Sequence, residues 1–96
     1  MKTFSEIESE HRRITILRAI ETAQGQINES MLLQVVNEFG VATSHDKLRS
    51  ELSWLKENGY VEIEIVADVW IAKITLRGLD VAQGLTTVPG IKHPTR

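Results

Sequence analysis

Hydrophobic positions along the chain change their period once, and that change divides the molecule. From Ser5 to about Ala23 the apolar residues repeat at helical spacing and form two stripes. Ile16, Leu17, Ile20 and Ala23 make one; Phe4, Ile7, His11 and Ile14 make another, roughly opposite at ~100° per residue. Ser5 followed by Glu8 has capping-box spacing at the start, and Gly25 follows the end. A second helix is predicted from Asn28, as N-cap, to Gly40. Its Leu32, Val35, Val36 and Phe39 fall at i, i+3, i+4 and i+7. After a short Val41-Ala42 connector, Thr43 or Ser44 caps a third helix, with Asp46 in its first turn. Leu48, Leu52 and Leu55 are its buried stripe, and Asn58-Gly59 stops it.

The period then falls to two. In YVEIEIV, Val61, Ile63 and Ile65 alternate with Glu62 and Glu64, the pattern of a strand with one wet face. Ala67-Asp68 is the predicted turn, without the usual Asn-Gly signal. Val69 to Ile74 returns, with Trp70, Ala72 and Ile74 on one face. Thr75 caps a short last helix that Gly84 closes. The tail LTTVPGIKHPTR, with two prolines and a glycine, is expected to be extended with a mobile end. The fold expected is therefore α+β and mostly helical: a winged helix-turn-helix of three helices, a two-stranded hairpin wing, a short C-terminal helix and an extended tail. Residues 1–84 form the domain and 85–96 the tail.

Composition narrows the partners. The chain of 96 residues has 25% charged and 42% hydrophobic residues, an ordinary globular balance for one modest core. It has no cysteine, which excludes disulfides and thiolate metal sites. No apolar run nears the ~20 residues of a membrane span, and MKTFSEIESEHRR lacks a signal core, so no membrane contact and a cytoplasmic location are expected. The net charge of -2 gives no overall basic footprint for nucleic acid.

Two stretches, LRSELSWLKENGYVEIE and ITLRGLDVA, resemble winged-helix regulators of the ArsR and MarR types. Across nearly the whole chain, HRRITILRAI, INESMLLQVVNEFGVATSHDKLRSELSWLKENGYVEIE, ITLRGLDVAQG and VPGI are similar to small ArsR-like proteins of Mu-like transposable phages and prophages. The resemblance implies DNA binding and transcription regulation. ArsR metal sensors use cysteine-containing sites, a mode this chain has no residues for.

With the leucine stripe inward, Asp46, Ser50 and Ser53 project outward on the third helix and Lys47 and Arg49 flank them. The candidate DNA-contact set is Ser44, Lys47, Arg49, Ser50 and Ser53. Arg49 suits guanine or a phosphate, Lys47 a phosphate, and the serines permit close approach. Arg12, Arg13 and Arg18 are candidates for added backbone contacts. Against DNA stand Asp68, Glu62 and Glu64 in a wing with no cation at its tip.

Phe4, Ile7, His11, Ile14 and Trp54 are the candidate interface, for a homodimer or for a phage or host protein partner. Trp54 is expected first to pack on the hairpin, against Trp70, with the interface anchor as its alternative role. The alternative reading is therefore a winged-helix protein-interaction module without DNA. Catalysis is not expected: Ser44-His45-Asp46 are consecutive on a helix and point ~100° apart. The histidines His11, His45 and His93 lack metal-ligand spacing, and no phosphate-cradling glycine loop is present, so no metal or cofactor is expected.

Overall fold

The computed structural model describes residues 1–94. The chain runs α1 (Phe4–Thr22), β1 (Gln26–Asn28), α2 (Glu29–Glu38), α3 (His45–Glu57), β2 (Val61–Val66), β3 (Val69–Ile74) and α4 (Leu76–Ala82). It is a small α+β fold of four helices and one antiparallel three-stranded sheet in the order β1-β3-β2.

Three predicted caps are present. The side chains of Asn28, Ser44 and Thr75 accept from the backbone N–H groups of Met31, Lys47 and Gly78, satisfying helix-start donors that lack intrahelical partners. At α1 the cap is Thr3 rather than Ser5. Both Thr3-x-x-Glu6 and Ser5-x-x-Glu8 fit the capping pattern, and the earlier one closes, with Glu6 N–H donating to Thr3 Oγ1 at 3.1 Å. Ser44, not Thr43, caps α3. Thr43 is instead tied into the α2–α3 turn: its N–H donates to Asn37 Oδ1, and Asn37 Nδ2 donates to Leu33 O and Thr43 O.

The hairpin turns at Ala67 (φ 49) and Asp68 (φ 67), as expected from the pattern. Two consecutive positive φ values are what a two-residue hairpin loop needs to match strand twist. The register pairs Val61 with Ile74, Ile63 with Ala72 and Ile65 with Trp70, so all these side chains share one face of the sheet. A third strand, β1, was not expected. Its Gln26, Ile27 and Asn28 pair with Lys73, Ala72 and Ile71, which places β3 in the centre.

The core joins Ile16, Leu17 and Ile20 of α1, Leu32 and Val36 of α2, and Leu48, Leu52 and Leu55 of α3, all fully buried, to Val61, Ala72, Val81 and Ile91. α4 passes close to the backbone of Tyr60, just before β2. A Cβ on Gly78 would lie 2.1 Å from Tyr60 O, so that contact requires glycine. The tail packs back on the domain. Ile91 is buried, Lys92 N–H donates to Glu10 O, and Arg13 Nη1 donates to Gly90 O at 2.8 Å. Gly90, at φ +87, passes over the Trp54 ring, where a Cβ would come within 2.8 Å. The last two residues of the expected mobile end lie outside the described residues. Among the described residues no helix is long and apolar enough to cross a membrane.

Candidate nucleic-acid interface

The first turns of α2 and α3 and the hairpin tip meet at one carboxylate. Glu29 opens α2 and is 3% exposed. A lone buried carboxylate is unfavourable, so it must be paired. Arg49, on α3, donates from Nε to Glu29 Oε1 and from Nη2 to Glu29 Oε2, both at 2.8 Å, a bidentate pair. Arg49 Nη2 also donates to Asp68 O in the hairpin turn at 3.0 Å. Its guanidinium lies over the Trp70 ring, 4.6 Å from the centroid. The Trp70 N–H donates to Glu29 Oε2, and His45 Nε2 lies 2.5 Å from Glu29 Oε1.

The electrostatic result follows. The Arg49 hydrogen bonds hold the Glu29 carboxyl down at about 2 from an ordinary 4.5. Burial opposes this, while the Trp70 N–H, the His45 ring and the Arg49 charge add to it. The same partnership raises Arg49, with the hydrogen bond to Glu29 as the main cause. One clamp thus fixes two helix starts and the hairpin tip to each other.

A second buried acid, Glu51, organises the other side of α3. Arg13 Nε donates to its Oε1 at 2.9 Å, and Arg12 Nη1 lies 3.9 Å from its Oε2. Arg12 also donates to Thr43 Oγ1 and Ala42 O. Arg13 stacks on Trp54, 3.9 Å from the ring centroid.

The structure sorts the candidate residues. Ser44, Lys47 and Ser50 are exposed along the N-terminal half of α3, and Ser53 is half-buried beside them. Arg49 is not a free reader; its donors are turned inward to Glu29 and Asp68. Arg12 and Arg13 are likewise internal, leaving Arg18 as the exposed arginine of α1. In the interface set Phe4, Ile7 and His11 are exposed, but Ile14 is buried in the core. Trp54 packs against Arg13 and Tyr60 rather than Trp70, which carries Arg49 instead. The residue that sequence reasoning missed is Glu29. Its only local signal was its place in a first helical turn, where an acid is common for other reasons.

Comparison with known proteins gives the chain its relatives. It is 34% identical to the uncharacterized protein gp26 of Escherichia phage Mu over 90 residues, 94% of each chain. The chain belongs to the Mu gp26 family. An uncharacterized protein of Haemophilus influenzae is 35% identical over 78 residues, covering 80% of this chain and 76% of that protein. No protein-family profile and no solved structure matches. Membership in the gp26 family agrees with the expected likeness to small Mu-like phage proteins.

Proposed function

We propose that this member of the gp26 family is a winged-helix DNA-binding protein serving phage transcription regulation, with α3 as its reading helix and β2–β3 as its wing. The observation that carries the reading is the outward N-terminal half of α3. Ser44, Lys47 and Ser50 stand exposed there, and the Asn37-braced turn and the Glu29 clamp hold that half rigid. Short hydroxyl side chains let a helix approach base edges, and Lys47 supplies a phosphate contact. Ser53 sits at the back edge of this surface. Arg49 positions the wing rather than touching DNA. The wing tip, Ala67-Asp68, contributes no cation, so each copy engages about one or two phosphates and its salt dependence is shallow. No catalytic step and no cofactor enter this reading.

Amide chemical-shift mapping with a short duplex at low salt tests it. Shifts concentrated at Ser44, Lys47 and Ser50 are expected. No shifts, or shifts confined to the hairpin tip, would refute it.

The hairpin tip favours a second reading. Ile65 is 60% exposed, and Val66 and Val69 stand open beside it, apolar where a DNA-contacting wing is usually basic. This surface suits a phage or host protein partner. In that case the reading helix is bystander surface, and Ile65→Ser abolishes partner binding while Lys47→Ala does not.

A further inference from the structure

One side of α1 carries exposed residues along most of its length, interrupted only by the buried Thr15, and its residues recur at coiled-coil spacing. Phe4, Glu8, His11, Thr15, Arg18 and Thr22 follow each other at intervals of four, three, four, three and four. The two ends of this strip differ in shape. Phe4, at the start, protrudes and is 76% exposed. At the other end a cavity of about 300 Å³ is lined by His11, Thr15, Arg18, Thr22 and Phe39, with the Phe39 ring 56% exposed at its edge. Charge differs in the same sense. Glu8 and Arg18 are both exposed, and neither has a charged partner among the described residues. They lie five positions either side of residue 13, and Phe4 and Thr22 lie nine positions either side of it.

We propose that two copies associate through this strip, antiparallel, about a two-fold axis passing near residue 13. The pairing then places Glu8 of each copy against Arg18 of the other, and Phe4 in the cavity beside Thr22 and Phe39. A parallel arrangement stacks Glu8 on Glu8 and Arg18 on Arg18 and leaves both cavities empty, so charge and shape select the same orientation. The contact is isologous and closes as a dimer. The tail does not obstruct it, since Gly90 and Lys92 lie against Arg13 and Glu10, on the other side of α1. This inference does not depend on DNA binding; a chain that ignores DNA can still pair in this way.

Interfaces built on one helix from each copy fall below the usual ~800 Å² per partner, so micromolar dissociation is expected. Sedimentation equilibrium of the full chain at low salt, from about 1 µM to about 500 µM, reads it directly. The wild type is expected to reach dimer. Arg18→Glu and Glu8→Arg should each weaken association by about tenfold, and the double exchange Glu8→Arg with Arg18→Glu should restore it. Phe4→Ala should weaken it with unchanged circular dichroism, because that ring is outside the core. A wild type that stays monomeric throughout overturns the proposal. So does a dimer indifferent to all four variants, or a double exchange no tighter than the single ones.

Discussion

Replacing Glu29 by glutamine isolates the charge on which the α2–α3–hairpin clamp depends. The substitution keeps the shape and an acceptor for the Trp70 N–H, but leaves Arg49 without its counter-charge. Its magnitude can be worked from the carboxyl's displacement. From 4.5 to about 2, at ~1.36 kcal/mol for each pH unit, comes to about 3 kcal/mol. The Arg49 and His45 side chains are 33% and 50% exposed, so water screens part of that. About 2 kcal/mol at pH 7 is the expected loss, which at an m-value of ~1 kcal/mol/M lowers the urea midpoint by about 2 M.

The pH dependence has a definite sign. Folding lowers this carboxyl's pKa, so its stabilisation is full above the unfolded value near 4.5 and is lost as pH falls through about 2. Urea unfolding followed by circular dichroism, with wild type and Glu29→Gln side by side, should show a gap that holds from pH 7 to about 5 and narrows below. Taking the difference removes the other acids, which titrate in both proteins. A gap as wide at pH 3 as at pH 7, or no gap at pH 7, would refute the assignment of Glu29 as the buried charge of the clamp.

Other outcomes follow from the same contacts. Arg49→Ala should lower the thermal midpoint and Arg49→Lys should recover only part of it, since an ammonium cannot make the two parallel bonds to Glu29; a melt unchanged in Arg49→Ala contradicts this. Gly78→Ala should cost at least about 2 kcal/mol in denaturant unfolding, because its Cβ meets backbone at Tyr60 O and not a side chain that can swing away. Leu52→Ala should cost about 2–5 kcal/mol by the same assay, as a fully buried leucine of the core. A loss under 1 kcal/mol for Leu52→Ala would mean that the core is looser than this packing implies.

What could be read from the sequence was local. Asn28, Ser44 and Thr75 each precede an apolar repeat and each act through a hydrogen bond to a residue three positions on. The hairpin was legible because alternation over Val61–Ile65 and again over Val69–Ile74 survives without an Asn-Gly turn. β1 was not, because three residues are too few to show a period of two, and its partner β3 lies more than forty positions away. Arg49 was assigned outward from the leucine stripe alone. The helical wheel puts it beside the outer face, but Glu29, twenty positions earlier, draws it inward, and nothing local announces that pair. Arg12 and Arg13 were misjudged for the same reason, since Glu51 reaches them only through the tertiary fold. The tail was expected to be extended with a mobile end because prolines and glycine prevent a helix. Gly90 in fact allows the backbone to pass over Trp54 and seat Ile91.

The central claim is that the N-terminal half of α3 contacts DNA. Its most direct test is binding of the purified chain to fragments of its own genome, titrated across salt, with Lys47→Ala beside the wild type. Selective retention with a shallow salt slope is expected, the slope falling by about one for each copy bound when Lys47 is removed. Retention that is absent at low salt from a folded protein, or that is unchanged in Lys47→Ala, would contradict it.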